Sequence, residues 1–353
     1  MRPTTIAAGI LALALAAFPA FKSMARAAAD SSQQAGPMRR PSAGNQSQAA
    51  VQQQQEQQSP PQEQRPLQVQ VSIVNVFATV RDKHHAIVDN LTKDDFQISE
   101  DGQEQKVAFF SKEVDMPITL GMLMDTSYSM YHILDAEKSA ASRFLKEVMR
   151  KRDEAMVISF DTDVNLLADF TEDTSVLDQA IDRTAINVDA SGIGGTPGTI
   201  ASSNGGTDLY DAIYLACHDQ MASEAGRKAL ILLTDAEDTG SKMSEQDAIE
   251  AAQRADAVIH VLLIRDRSAT MGYGGGVANR MAEQTGGRVI DVRNEDSLEK
   301  AFDEISEELR SQYVLGYYPT NTKRDGTFRK IQVKVDQPDV KVLARRGYYA
   351  PRH

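Results

Sequence analysis

The stretch GMLMDTSYSM, residues 121–130, decides how the rest of the chain is read. Apolar residues run into Asp125, and Ser127 and Ser129 follow at every second position. An apolar run of strand length is the pattern of a strand buried on both faces, as in a parallel sheet covered by helices. The polar triplet at its end leaves three readings open: a turn, a helix N-cap supplied by a serine, or half of a metal site.

The surrounding sequence repeats the strand pattern at regular intervals. MPITLGMLMD is followed by helical spacing over residues 131–149, through Ile133, Ala136, Ala140, Phe144 and Val148. Then come the strands AMVISF and VNLLADF, the helix SVLDQAIDRTA, the helix LYDAIYLACHDQMA and the buried strand RKALILLTD. SEQDAIEAAQRAD, AVIHVLLI, GVANRMAEQTGG, RVIDV and SLEKAFDEISEELRSQ continue the alternation of helix and strand. This order predicts an α/β domain over residues 116–312, a doubly wound and mostly parallel sheet. Ligands on such sheets bind beyond the carboxyl ends of the strands, where Asp125 stands.

The flanks are different. Residues 67–115 read as strands, with Val69, Val71, Ile73 and Val80 among polar neighbours and an Asp-Gly turn in EDGQEQKVAFF. Residues 313–350 return to strands in YVLGYYP, KIQVKV and KVLARRGYYA. Neither flank holds enough strands to be stable alone. They are expected to pair into one small β-sandwich, with the α/β domain inserted between its two halves.

Residues 30–66 are rich in Gln, Ser, Ala and Pro and read as a disordered linker. Residues 1–29 place Arg2 before an apolar run and end in small residues with A-x-A sites at Ala27 and Ala29. That is the layout of a signal peptide. Lys22 and Arg26 after the run keep an uncleaved N-terminal anchor open as the alternative. Either way the chain is expected to be exported, to the periplasm, the cell surface or the medium. Cys217 is the sole cysteine of the 353 residues, so no internal disulfide forms, and its helical, apolar setting predicts a buried thiol.

The net charge is −12, and setting aside the three bases of residues 1–29 leaves 35 basic residues against 50 acidic ones, or −15. This excludes a nucleic-acid surface, which needs clustered Lys and Arg. It suits a protein that gathers cations.

Two further stretches join the opening one. GGTDLYDA sets Thr207 in a glycine-rich loop before a helix, and LILLTDAED ends a buried strand in Thr234 and Asp235. Asp125, Ser127, Ser129, Thr207 and Asp235 form an all-oxygen set from three loops, which suits Mg²⁺ or Mn²⁺. At these residues the chain resembles a known family. DTSYS, GGT and LTD are similar to the metal-ion-dependent adhesion site (MIDAS) of von Willebrand factor type A (VWA) domains, and the resemblance covers residues 116–312. DNLTKDDFQISEDGQEQKVAFF, QYVLGYYP and ARRGYYAP in the flanks resemble bacterial VWFA-related exported proteins. The resemblance implies that Ser127, Ser129 and Thr207 hold the ion, that Asp125 and Asp235 contact it directly or through water, and that a Glu or Asp of a protein ligand completes the shell.

Other motifs fall away. Asp161, Asp163, Asn165, Asp169 and Glu172 match positions 1, 3, 5, 9 and 12 of an EF-hand loop. However, Leu166 stands where that loop needs glycine, and strands flank it, so a β-hairpin is expected. The glycine clusters at 192–206 and 272–276 lack a P-loop lysine. His84 and His85 read as exposed turn residues. No histidine falls in the three metal loops, so a hydrolase lacks its base and no enzyme activity is expected. The expected function is a metal-dependent module that binds protein, cell adhesion being the type. The alternative is a structural component of an envelope assembly in which the ion only stabilises the fold.

Overall fold

Ile118–Asp125 forms strand β5, buried at every position. The computed structural model describes residues 73–112, 116–186, 206–265 and 274–352, all within the compact unit Leu67–His353. The expected signal or anchor (1–29), the linker (30–66) and most of the Gly/Ser-rich stretch before Thr207 lie outside the described residues.

Strand β5 sits inside a six-stranded sheet with β6 (Glu154–Phe160), β7 (Val164–Thr171), β8 (Arg227–Thr234), β9 (Ala257–Ile264) and β10 (Val289–Val292). The order is β10-β9-β8-β5-β6-β7, parallel throughout except for β7, which returns antiparallel to β6. That hairpin is the structure of the EF-hand-like stretch: Phe160 pairs with Val164 across a polar tip.

Successive residues of a strand face opposite ways, and both faces here meet helices. Leu120, Met122 and Met124 pack with α1 (Leu134–Val148), α2 (Thr174–Asp182) and α6 (Glu295–Arg310). Leu123, Met156 and Ile158 pack with α3 (Leu209–Tyr214), α4 (Glu245–Arg254) and α5 (Gly274–Thr285). Each fully buried Leu, Ile, Met or Phe contributes about 1.5–3 kcal/mol. The fold is therefore a doubly wound α/β layer structure, and its strand ends on one side are left to loops.

Two helices depart from the sequence reading. The spacing over 131–149 predicts one helix, yet a 3-10 turn occupies Tyr128–His132 and α1 begins only at Leu134. The spacing from Leu209 predicts a continuous helix, but Leu215–Gln220 widens into a π turn. The wider turn still buries Ala216 and Cys217, both at 0% exposure.

The flanking segments build two four-stranded sheets. The first has the order β13-β1-β11-β4, from β1 (Val74–Asp82), β4 (Val107–Ser111), β11 (Tyr313–Tyr317) and β13 (Val340–Ala344). The second has the order β14-β12-β2-β3, from β2 (Phe96–Glu100), β3 (Gln103–Gln105), β12 (Phe328–Val335) and β14 (Gly347–Tyr349). Each sheet mixes strands from both flanks, and Val76, Val80, Phe96, Ile98, Tyr313, Tyr317 and Ile331 share one core between them. Asp101 and Gly102, at φ 48° and 81°, make the tight turn from β2 to β3, the left-handed pair that an Asp-Gly hairpin requires. In β1 the inward face is Val74, Val76, Ala78 and Val80, whereas Ile73 is 39% exposed. His84 and His85 lie exposed in the turn that follows β1. Tyr317 and Tyr348 are buried while Tyr318 is 45% exposed, so the tyrosine pairs are part core and part rim.

Candidate metal centre

Asp125 ends β5 with no exposed surface. Its Oδ1 accepts the amide of Ser127 at 2.9 Å, and its Oδ2 accepts the hydroxyl of Thr234, the last residue of β8, at 2.6 Å. The next residue fastens the other neighbouring strand. Thr126 donates its amide to the Phe160 carbonyl at 2.8 Å and its hydroxyl to Asp161 Oδ2 at 2.9 Å.

Ser127 stands at the N-terminal boundary of the 3-10 turn, where the hydroxyl of a capping serine would accept a free backbone amide of the turn. Its side chain makes no cap hydrogen bond. Instead the Ser127 and Ser129 hydroxyls meet at 2.9 Å at the surface. Helix α1 has no side-chain cap at all. The capping reading of these serines therefore fails. Elsewhere the chain does cap: Ser244 and Asn294 close capping boxes on α4 and α6.

Asp235 lies half-buried one residue past β8 and accepts the amide of Glu237 at 3.1 Å. Ala236 takes a left-handed φ of 58°, and its amide donates to the Thr234 hydroxyl at 2.9 Å. Gly274, at the start of α5, comes so close that a Cβ there would collide with the Asp235 carbonyl. This is the physical role of Gly274.

Thr207 is 8% exposed. Its carbonyl accepts the amides of Thr239 at 3.1 Å and Gly240 at 3.3 Å, and its own amide donates to the Thr239 hydroxyl at 2.9 Å. The amide of Asp208 donates to the Asp161 carbonyl at 2.6 Å. Asp161 thus links the loop of Thr207 to the loop of Asp125. Asp125 is the last residue of β5, Ser127 and Ser129 follow it, Asp235 follows β8, and Thr207 lies before α3, tied through Asp208 to Asp161 just past β6.

The electrostatics of this corner are acidic. Burial pushes the Asp125 carboxyl up to about 7; the Ser127 and Thr234 hydrogen bonds oppose the shift, and the charge of Asp235 adds to it. Glu137, in the first turn of α1, is raised well above the carboxylate range by burial, then by Asp125 and Asp235. Neither of its oxygens has a hydrogen-bond partner. The carboxylates of Asp125 and Asp235 and the neutral hydroxyls of Ser127 and Ser129 make a donor set that fits a divalent cation that prefers oxygen. Among the described residues no group of three or more His, Cys, Asp or Glu is drawn together as a metal cluster, so such an ion would depend on the hydroxyls. Ser129 and Asp235 also line an open cavity of about 570 Å³, together with His132, Arg265 and Arg293.

Glu137 and Asp161 were not singled out as parts of this corner in the sequence. For Glu137 the signal was present: an acid on the apolar helical face of Leu134, Ala141, Phe144 and Val148. His218 and Asp219 pair at 2.6 Å on the exposed surface, while Cys217 beside them is buried, so no nucleophilic pair exists there.

Residues 120–237 match the family described as von Willebrand factor type A domain. No curated protein matches the chain. Among solved structures, BatB from Bacteroides thetaiotaomicron is 21% identical, with a TM-score of 0.42 over 55% of this chain and 100% of that one. The vWF domain of the type V pili tip protein Mfa5 from Porphyromonas gingivalis is 15% identical, with a TM-score of 0.41 over 56% of this chain and 96% of that one. Proximal thread matrix protein 1 from the mussel byssus, with a zinc-occupied MIDAS motif, is 13% identical, with a TM-score of 0.46 over 60% of this chain and 49% of that one. The superpositions are too loose to carry an assignment, which rests on the family match and on the sheet itself. On those grounds this chain carries a von Willebrand factor type A domain.

Proposed function

We propose that the chain is an exported, non-enzymatic binding module that captures a protein or peptide partner through a divalent ion, Mg²⁺ or Mn²⁺. Asp125, Ser127, Ser129, Thr207 and Asp235 would hold it. The reading rests chiefly on one observation: Ser127 and Ser129 pair their hydroxyls at the surface, with no capping role, beside the sealed carboxylate of Asp125.

A bound ion would supply a positive centre for a carboxylate of the partner. Asp125 is held from two sides, by the Ser127 amide and the Thr234 hydroxyl, so its carboxylate is fixed before any ion arrives. The serine hydroxyls are neutral donors that leave much of the ion's charge uncompensated toward solvent. The chain is otherwise acidic, and a local reversal of sign would select a Glu or Asp from a partner. Export rests on residues 1–29; among the described residues no helix is long and apolar enough to cross a membrane. The segments 67–115 and 313–350 would serve as one β domain carrying the 116–312 domain.

The uncompensated acids beneath the loop favour a second reading, in which the ion serves stability alone. Calorimetric Mg²⁺ titration of wild type, Ser127→Ala and Thr207→Ala tests the site. Protein retention on the immobilised chains, with Mg²⁺ and with EDTA, tests the use of the site. Retention should require both Mg²⁺ and the intact hydroxyls. Equal retention in every arm would leave the ion a structural part.

A further inference from the structure

Among the described residues the buried carboxylates are Glu100, Asp125, Glu137, Asp153, Asp161 and Glu308. Five are accounted for. Glu100 accepts from the hydroxyls of Tyr317 at 2.7 Å and Tyr348 at 3.0 Å, and Glu308 is paired with Arg81 and Arg288. Asp153 accepts the amides of Ile118 and Arg150 at 2.9 Å and 2.8 Å. Asp125 and Asp161 take the hydroxyl and amide bonds described above. Glu137 alone has two partnerless oxygens, with no exposed surface.

Placement in the first turn of a helix does not explain it. An acid there gains from the helix dipole while remaining in water, as Asp135 does on the exposed side of the same turn. Glu137 instead occupies the inward row between Leu134 and Ala141, in the first turn of the helix that follows the Asp125–Ser129 loop, and the charges that act on it are those of Asp125 and Asp235. A buried carboxylate without a partner is retained only at a cost, and replacement by an apolar residue of similar size would remove that cost.

We propose that Glu137 is a third acid of the metal centre, a positioning residue that compensates the charge of the divalent ion from the buried side. The inference rests on the metal reading above and deepens it. Glu137 does not join Asp125 and Asp235 in a direct three-acid cluster, so it would act through its charge rather than as a ligand. The ion would then face neutral hydroxyls toward solvent and negative charge toward the core. Such an arrangement binds the ion firmly while leaving its outer face to the partner.

The test compares wild type with Glu137→Gln, which keeps shape and loses charge, and Glu137→Leu, which fills the space with apolar bulk. Mg²⁺ and Mn²⁺ affinities are measured by calorimetry, and melting points in EDTA. Both variants should bind the ions about tenfold or more weakly, in the range that outer partners of metal sites contribute. Their metal-free melting points should equal or exceed that of wild type. If wild type takes up the ions and Glu137→Gln matches it within about twofold, below that contribution, the role of Glu137 is overturned and the five-residue site stands. A fall in metal-free melting point in both variants would mark Glu137 as a fold element and overturn the proposal equally. If wild type takes up neither ion, the metal reading itself fails, and this inference with it.

Discussion

The hydroxyl of Thr234 donates to Asp125 Oδ2 at 2.6 Å while accepting the amide of Ala236 at 2.9 Å. One side chain therefore joins the ends of β5 and β8 and orients the carboxylate of the opening motif. Thr234→Val keeps the volume and removes the donor. The buried Asp125 oxygen would lose its partner, at a cost of about 1–3 kcal/mol, read by urea unfolding in EDTA. Mg²⁺ affinity should fall about tenfold, since the carboxylate is no longer oriented. An unchanged calorimetric affinity would show that this bond does not position Asp125 for the ion.

Two of the three glycines at the start of α5 make opposite predictions. A Cβ on Gly274 would collide with the Asp235 carbonyl and stand 2.8 Å from the Ala236 carbonyl carbon, and backbone cannot give way as a side chain can. Gly274→Ala should destabilise by about 1–3 kcal/mol and disturb Asp235. Gly276 is exposed, and a Cβ there would meet nothing nearer than Arg280 Nη1 at 3.4 Å. Gly276→Ala should therefore stabilise by about 0.5–1 kcal/mol through helix propensity. Urea midpoints of the two variants moving in the same direction would contradict this picture.

The legibility of the site in the sequence follows from where buried strands stop. Because β5 is apolar from Leu120 and β8 from Ala229, the first polar residues, Asp125 in one and Thr234 with Asp235 in the other, mark the strand ends without any structure. Glycine and a helical pattern placed Thr207 in the same way. Features that depend on distant partners were not legible. Helix α1 starts at Leu134 rather than at residue 131 because Tyr128–His132 form a 3-10 turn, which buries Met130 and leaves Tyr128, Ser129, Tyr131 and His132 exposed. Which face of β1 is inward is not legible either, since alternation there fits either face until Val74 is seen to pair with Tyr317. Glu137 was passed over because a helical repeat reports which face is inward, not whether an acid on that face has a partner.

Cys217 offers a check on the π turn. Burial pushes its thiol up to about 12. At pH 8 that leaves on the order of one thiolate in ten thousand, and the sulfur has no exposed surface. Iodoacetamide should leave the native chain unmodified at pH 8 and alkylate it fully in urea, the rate following unfolding. Rapid stoichiometric labelling of the native chain would show that Leu215–Gln220 opens or is packed differently.

The two flanking segments stand or fall together. Strand β1 lies between β11 and β13, and β2 pairs with β12, so every link that closes these sheets around the N-terminal flank comes from beyond residue 312. Tyr313 reaches back to donate its hydroxyl to the Val88 carbonyl at 2.9 Å and accepts the amide of Leu91 at 3.0 Å. Tyr317 donates to the buried Glu100 at 2.7 Å. A chain ending at Gln312 would expose both edges of β1, strand backbone that other chains can pair with. It would also leave Glu100 buried or half-buried without its tyrosines. Light scattering should show this truncated chain associating, and its melting profile should lose the transition of the sandwich. Tyr317→Phe in the full chain isolates the polar part, with an expected loss of about 1–3 kcal/mol for one hydrogen bond to the buried Glu100, which keeps the Tyr348 hydroxyl at 3.0 Å. If the truncated chain stays monomeric and melts as the full chain does, the flanks are not one β domain, and the α/β portion stands without them.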